Sequence, residues 1–385
     1  MGFLKNTSSF SRFNVNPSSV LPEDYRRIFA ANILRFSFRE IDDQSDDAQS
    51  VGWVDIADPM NTDFKGEEFF KGDFITLGLR TDSRKVPSQA LKDQFRKALK
   101  EKWSNGEPSL AKDQRIELKE AIKLQLLKRA IPSTKLCDFM WNTQTSEVYF
   151  SATSERDCLQ FLGIFKETFG INLTQLFPYS IAQEIVSIDQ HSHLDHLSPA
   201  VFTETPNKVQ EMTGGSNMIS LIQDKKFLGQ EFLIWLWYRS QVDAGKISTT
   251  NPILELWIDN NIVLESAGNE GGKAEKVICC HGEMFEARGA LSQGKKITKA
   301  SFKMFLEENE YSFTLDGTWL NFKACKTPKI PIDKDDIDGT FFERVYLLQA
   351  VVKAITRLFE DFIKIRMTTK WPILIQEIKD WMAKE

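Results

Sequence analysis

The chain has 385 residues, of which 42% are hydrophobic, and its 49 basic and 54 acidic residues give a net charge of −5. This length accommodates two or three domains with sizeable cores, and the 29 phenylalanines exclude a largely disordered chain. No apolar run reaches the ~18 residues that a membrane-spanning helix needs, and the N-terminus lacks the apolar stretch of a secretory signal. Five scattered cysteines favour reduced thiols over a disulfide framework, so we expect a cytoplasmic protein without membrane attachment.

The N-terminal part is predicted to combine strands with one helix. The strands lie at 10–15, 51–54 and 74–80, the helix begins at Pro22, an acidic loop covers 42–47, and a turn covers 82–88.

The segment after this turn is a strongly basic pair of predicted helices. Apolar residues recur at spacings of three and four on both sides of a break at 105–108, which is typical of a helical hairpin. From Arg84 to Lys135 the chain has 14 basic and 6 acidic residues, a local charge of 14 − 6 = +8, so the remainder sums to −5 − 8 = −13. A basic segment on an acidic protein suggests a locally bound polyanion. The alternative is a solvated hairpin whose lysines only maintain solubility.

Further elements are predicted after the basic segment. We expect a hairpin at 139–150, a helix at 155–169, loops and a linker at 186–227, a buried helix at 227–239, a hairpin around 259–261, a strand at 276–280, a hairpin around Asp316-Gly317, and an amphipathic helix at 339–370 that Pro372 separates from a short last helix. Strands precede and follow the basic segment, which therefore leaves and rejoins one α+β body.

A histidine-rich hexapeptide is the sharpest enzyme-like signal. His191, His193, Asp195 and His196 have a spacing that resembles the metal-binding motif of the metallo-β-lactamase superfamily, in which zinc activates water. That family needs further histidines downstream, and the chain has only His281. The reduced alternative is a single zinc held by His191, His193 and His196, with Asp195 or Cys280 as a further ligand. A solvated polar loop is the simpler interpretation.

A second basic cluster lies further along the chain. Residues 289–296 nearly match a phosphate-binding loop, but Lys296 replaces the hydroxyl residue that binds magnesium. We therefore do not expect nucleotide hydrolysis. Lys295, Lys296 and Lys299 are better interpreted as a cluster that contacts phosphate or solvent.

The order of several short motifs resembles the recombination-associated protein RdgC family of bacteria. The motifs are Leu4-Lys5-Asn6, Phe10-Ser11-Arg12, Gly52-Trp53-Val54, the strand at 74–80, Val86-Pro87-Ser88, the lysine-rich hairpin that ends at Ile131, Met140-Trp141, the residues 294–299, and Leu315-Asp316-Gly317. The resemblance covers roughly residues 1–185 and, more weakly, 276–326. Insertions near 186–275 and the C-terminal helix depart from the compact members.

The resemblance implies a DNA-binding protein without catalysis or cofactor. Such proteins form a homodimeric ring around double-stranded DNA, bind largely without sequence preference and restrain RecA-type strand exchange, so we expect nucleoid association. DNA contacts are expected from Arg84, Lys85, Lys92, Arg96, Lys97, Lys100, Lys112, Arg115, Lys119, Lys123, Lys128, Arg129, Lys295, Lys296 and Lys299. Leu127 and Ile131 are expected to help close the dimer contact.

The sequence thus predicts an α+β protein with a central mixed body, a protruding helical-hairpin arm and a C-terminal α+β base domain that ends in a long helix. The expected division is 1–86 plus 132–185 for the body, 87–131 for the arm, 186–330 for the base domain and 331–385 for the helical extension. The rival from another class is a zinc-dependent hydrolase built on His191, His193, Asp195 and His196. A third possibility is an interaction protein whose arm binds an acidic protein partner.

Overall fold

A computed structural model describes residues 2–16, 21–42, 45–65, 67–105, 110–202, 218–247, 254–266, 276–279, 284–331 and 336–383. The strands are β1 (Thr7–Val15), β2 (Gln49–Val54), β3 (Phe70–Lys71), β4 (Phe74–Ser83), β5 (Ser133–Asn142), β6 (Glu147–Phe150), β7 (Leu173–Gln175), β8 (Lys246–Ile247), β9 (Leu254–Glu265), β10 (Lys276–Cys279), β11 (Lys296–Leu306), β12 (Asn309–Asp316) and β13 (Phe322–Lys326). The helices are α1 (Tyr25–Arg35), α2 (Ser88–Ser104), α3 (Lys112–Lys128), α4 (Glu155–Phe169), α5 (Pro178–Ile185), α6 (His191–Asp195), α7 (Met218–Lys225), α8 (Phe227–Val242), α9 (Phe285–Ser292), α10 (Ile337–Arg366) and α11 (Trp371–Ala383).

The chain folds into two compact units. The large unit contains residues 1–19, 141–162 and 172–385, and the small unit contains residues 20–140 and 163–171. Helices combine with extensive antiparallel strand pairing, which confirms the α+β class. The predicted four-part division, with its arm and base domain, stays a prediction. None of the helices in the described ranges is both long enough and apolar enough to cross a membrane.

An aromatic core organises the small unit. Strands β2, β3 and β5 pair with β4, and α1 contributes Phe29 to the core. The ring of Phe29 meets Phe169 edge to face, with centroids 5.0 Å apart. Trp53 is fully buried, and its Nε1 donates a hydrogen bond to Thr168 Oγ1 at 2.8 Å. This bond satisfies the indole N–H, which would otherwise be costly to bury.

One long sheet and a buried helix organise the large unit. Its strands follow the order β10-β9-β11-β12-β13-β1-β6. Helix α8 is apolar on nearly all sides, which is typical of a helix enclosed by other elements, and it contacts β9, β11, α10 and α11. Phe232 meets Phe359 of α10 at 5.0 Å between centroids, and Trp237 meets Trp381 of α11 at the same distance.

A buried ion pair links α8 to α10 within this core. Arg366 Nε lies 2.7 Å from Glu231 Oε2, and both side chains are less than a tenth exposed. Glu231 also accepts the backbone N–H of Ala200 at 2.6 Å, and Arg366 donates to the carbonyl of Ser198 at 2.6 Å. Burial raises the pKa of Glu231, whereas Arg366 opposes that rise. The four groups therefore fix the segment around 198–200 to both helices.

Several predictions about local structure are confirmed. The predicted N-terminal helix forms as α1, although it begins at Tyr25 and not at Pro22. Helices α2 and α3 are separate, as predicted, and α8 contains the predicted buried helix. Ser154 Oγ accepts the N–H of Asp157 at 3.3 Å, which gives the predicted cap of α4. Cys137, Cys158 and Cys325 are buried, and burial raises the pKa of the Cys325 thiol to about 12.

Other predictions about local structure were wrong. Residues 186–202 and 218–227 are not merely loops, because α6 and α7 form within them. The hairpin expected around 259–261 is instead the middle of the single strand β9, which pairs along its length with β11. Strand β4 extends to Ser83, through the start of the predicted turn.

Two turn residues act differently from the prediction. Asp316 ends β12 and accepts the N–H groups of Thr318 and Trp319, so the connection to β13 is longer than an Asp-Gly turn. Pro372 lies in the first turn of α11, where proline is tolerated, and the helices are separated by 367–370 instead.

Candidate nucleic-acid interface

Helices α2 and α3 pack against each other and leave most of their side chains open to solvent. Their sequences favour helix, since leucine, lysine, glutamate and alanine predominate. No side chain of α2 is buried, and within α3 only Ile122 and Leu127 are. We call α2 and α3 the basic helix pair.

The cations of this region are predominantly exposed. Those with exposed side chains are Lys85, Lys92, Arg96, Lys97, Lys100, Lys112, Arg115, Lys119, Lys123, Lys128, Arg129 and Lys135. Within α2, Lys92, Arg96 and Lys100 recur every fourth residue and therefore share one face. Such side chains are separated by a rise of ~6 Å along the helix axis. Repeated positive charge at this spacing suits a polyanion with regularly spaced phosphates.

Lys123 and Lys128 take part in surface ion pairs. Lys123 Nζ lies 3.2 Å from Glu120 Oε2, and Lys128 Nζ lies 3.1 Å from Asp46 Oδ1. All four side chains are at least two-fifths exposed. Exposed pairs of this kind contribute little because water and salt screen them, so an incoming phosphate competes with the carboxylates at small cost.

Arg84 differs from the other predicted DNA contacts. Its side chain is only 4% exposed, and Nη1 donates to the carbonyl oxygen of Asp42 at 3.2 Å. Its backbone N–H is also bound, to the carbonyl of Ala48 at 2.8 Å. We therefore leave Arg84 out of the surface proposed below.

The two apolar residues predicted at a dimer contact have opposite environments. Leu127 is 9% exposed and belongs to the small unit's own core. Ile131, just after α3, is 91% exposed. Of these two residues, only Ile131 has a side chain that is exposed enough to contact a second copy of the chain.

The second basic cluster lies in the large unit, where α9 ends and β11 begins. Lys295, Lys296 and Lys299 are partly exposed. Burial lowers the pKa of Lys296, as does Lys226, while Glu231 opposes the shift. The segment that nearly matches a phosphate-binding loop begins inside helix α9, so its glycines do not form a strand-to-helix phosphate cradle.

The histidine-rich hexapeptide does not form a metal site in the described part of the chain. It folds mainly into α6, where His191 Nε2 contacts the carbonyl of Gln183 at 3.0 Å and His196 Nδ1 contacts that of Ser192 at 2.6 Å. Asp195 accepts a hydrogen bond from the hydroxyl of Tyr179. Among the described residues no three histidine, cysteine, aspartate or glutamate side chains are grouped to hold an ion. Cys280 and His281 lie outside the described residues.

The structure also presents apolar side chains that the sequence-based site did not include. On the basic helix pair, Trp103 is 57% exposed, and Ile116 and Leu124 are also exposed. The exposure of Ile116 and Leu124 could have been predicted from their positions in α3, since neither lies on the predicted apolar face of Leu118 and Ile122.

Comparison with known proteins finds similarity over a segment that includes most of the small unit. Residues 26–187 match the family model described as "Putative exonuclease, RdgC". The chain is also 26% identical over 140 residues to the recombination-associated protein RdgC of Psychromonas ingrahamii. That alignment covers 36% of this chain and 44% of the relative, which is less than half the length of either protein. The weaker resemblance at 276–326 lies beyond the family match and stays a prediction. Over residues 26–187, which include the basic helix pair, the resemblance to the RdgC family is confirmed.

Proposed function

We propose that this protein binds double-stranded DNA without sequence preference through the exposed cations of α2 and α3. One observation carries the proposal: a net-basic, solvent-exposed helix pair lies within the segment that matches the RdgC family, on a chain that is otherwise acidic. Phosphate neutralisation by lysine and arginine supplies sequence-independent affinity.

The uneven distribution of charge determines which part of the protein surface DNA contacts. Residues outside 84–135 sum to −13, so a DNA polyanion is repelled by much of the protein and attracted by the basic helix pair. A uniformly basic protein would instead attach at many places. We therefore propose that the helix pair, as a protruding arm, makes the main contact, and that Lys295 and Lys299 add a secondary one.

We infer the biological role from the similarity to the RdgC relative. The relative's name associates it with recombination, and we extend that association to this chain. By resemblance to the family we propose a ring-shaped homodimer around the duplex, located on the nucleoid in the cytoplasm, which restrains RecA-type strand exchange. Ile131, with its 91% exposed side chain, is our candidate for the contact between the two copies.

We propose binding without cleavage, although the family model's description refers to an exonuclease. Nuclease chemistry of the metal-dependent kind needs carboxylates arranged around an ion, and the described residues contain no such group. No contact of His191, His193, Asp195 or His196 favours the zinc-hydrolase alternative.

A salt series tests the proposal. Two unrelated fluorescent 30-base-pair duplexes are titrated with the full chain at several salt concentrations, with and without EDTA. If about six phosphates are neutralised, the logarithm of the affinity falls with that of the salt concentration at a slope of about −5. Equal affinity for both duplexes and indifference to EDTA are expected. Lack of binding at low salt, or binding that requires a metal, contradicts the proposal.

A further inference from the structure

An open groove with an apolar lining and a basic rim lies on the basic helix pair. Its volume is about 440 Å³. Its lining consists of Phe95 from α2, Leu110 from the segment before α3, and Lys112, Arg115, Ile116 and Lys119 from α3. The volume is within the range of sites that hold a few side chains of a ligand. We call it the α2–α3 groove.

The local sequence explains why apolar side chains are accessible here. Phe95 lies on the apolar face of α2 but remains partly exposed, since no side chain of that helix is buried. Ile116 lies two residues before Leu118, off the face that α3 turns inward, and it is 53% exposed. An exposed aliphatic side chain beside a partly exposed ring is an apolar patch that a ligand can cover.

The rim of the groove carries charge of one sign. Lys112, Arg115 and Lys119 have exposed side chains, and none of the lining residues that the structure describes is acidic. The rim therefore attracts anions, and its lysines and arginine overlap with the proposed DNA contacts.

The apolar floor distinguishes this groove from the rest of the basic surface. Phosphates gain hydrogen bonds and charge pairing from lysine and arginine, but they gain nothing from Phe95 or Ile116. A ligand that uses both parts must carry negative charges and apolar side chains within a few residues of one another. An acidic peptide with interspersed leucine or phenylalanine has this chemistry, because burial of such a side chain in the apolar floor stabilises the complex.

We propose that the α2–α3 groove is a docking site for an acidic segment of a partner protein, with aromatic or aliphatic side chains in the apolar floor and carboxylates at the basic rim. Because the rim is shared, peptide and DNA compete for the protein. The partner would then displace DNA from the helix pair, which gives the interface a means of regulation. Peptide binding to the groove does not depend on the DNA proposal, since each has its own ligand and variant, whereas the competition between peptide and DNA rests on the proposed DNA binding.

The test uses two labelled peptides and the full chain. The first alternates five aspartates with leucine and phenylalanine, and the second has serine in place of every apolar residue. Fluorescence anisotropy is expected to show binding of the first peptide at least tenfold tighter than binding of the second, together with its displacement by duplex DNA. Equal binding of the two peptides overturns the proposal, because the surface would then respond to charge alone.

Two matched variants locate the site. Ile116→Ser removes an apolar side chain from the floor, and Leu124→Ser removes an exposed one from the same helix outside the groove. Ile116→Ser is expected to weaken binding of the apolar peptide about tenfold, whereas Leu124→Ser leaves it unchanged. Both side chains are exposed, so both variants should fold, and thermal unfolding followed by circular dichroism checks this.

Two other occupants are distinguished by the same variants. If Ile116→Ser weakens duplex binding as much as peptide binding, the groove belongs to the nucleic-acid surface. If it changes the sedimentation coefficient of the protein, the groove is covered by a second copy. Either result overturns the proposal, while unchanged duplex binding and sedimentation with weakened peptide binding support it.

Discussion

The guanidinium of Arg80 donates two hydrogen bonds to the carboxylate of Asp82, which lies two residues further along strand β4. Nε donates to Oδ1 at 3.1 Å and Nη2 donates to Oδ2 at 2.9 Å, while the guanidinium lies over the ring of Phe38 at 4.2 Å from its centroid. The two charged side chains are only 13% and 7% exposed. Because residues i and i+2 share one face of a strand, the pair stiffens the part of β4 that leads into α2.

Loss of the Asp82 charge is expected to destabilise the protein. Asp82→Asn leaves Arg80 largely buried without its anion, which should lower the free energy of unfolding by about 3 kcal/mol. Urea unfolding at neutral pH measures this. Asp93→Asn is the matched control, because Asp93 is an exposed carboxylate on α2, and it should change stability by less than about 0.5 kcal/mol. Similar losses in the two variants would contradict a special role for the pair.

The same pair predicts a pH dependence. Burial by itself would raise the pKa of Asp82, but hydrogen bonds from Arg80 and Thr134 outweigh it and hold that pKa below its ordinary value. A carboxyl with a depressed pKa in the folded state contributes stability above its unfolded pKa of about 3.9, and this is lost as pH falls through the folded pKa. The stability difference between the wild type and Asp82→Asn should therefore be constant near pH 6–8 and shrink below about pH 4. A difference that grows in acid would contradict the assignment.

The dimer proposal makes a prediction for Ile131. Ile131→Asp places a charge on a 91% exposed position, so it should leave the fold intact and weaken self-association by at least tenfold. Sedimentation velocity over a concentration series measures this. Ile188→Asp is the control, since Ile188 is 83% exposed in the large unit. A wild-type protein that stays monomeric at high concentration would contradict the homodimer.

Catalysis and metal content can be examined together. We expect purified protein to carry far less than one zinc per chain, and His193→Ala to leave both duplex binding and unfolding unchanged within error. An end-labelled duplex incubated with the protein and Mg²⁺ or Mn²⁺ should remain intact. If the protein contains stoichiometric zinc, and His193→Ala loses both the zinc and a hydrolytic activity, the result would support the hydrolase alternative. Digestion of the duplex would favour the exonuclease description.

The spacing of apolar residues was sufficient to predict helices that are formed by contacts within one segment, or that are apolar on all sides. The basic helix pair follows from apolar spacing in good helix-forming sequence, and α8 follows from an apolar run that no amphipathic helix would have. The cap of α4 follows from Ser154 and Asp157, because the capping contact is made within one turn.

Elements that depend on distant partners could not be predicted in this way. The polar residues 259–261 suggest a turn, yet β11 pairs along both sides of them and holds β9 extended. Two irregularities in the β9–β11 register accommodate the pairing.

The candidate site shows the same limit at the level of single side chains. Charge counting treats Arg84 like its neighbours, although the carbonyl oxygen of Asp42 and the surrounding chain bury it. Helical spacing places Leu127 on the apolar face of α3 and Ile116 off it, but it cannot tell whether that face packs within the chain or against a partner. The α2–α3 groove arises only where both helices meet, so neither helix predicts it alone.

The most direct test of the DNA-binding surface compares two sets of four lysines. In one protein Lys97, Lys100, Lys119 and Lys123 become glutamate, and in the other Lys166, Lys303, Lys353 and Lys370 do. All eight side chains are exposed and the change in net charge is the same, so the comparison isolates position from total charge. Affinity for a 30-base-pair duplex is measured over a salt series for both proteins and the wild type. We predict that the first variant loses at least a hundredfold in affinity at low salt with a flatter slope, whereas the second stays within about fivefold of the wild type. Equal losses in both variants, or unchanged binding in the first, would contradict it.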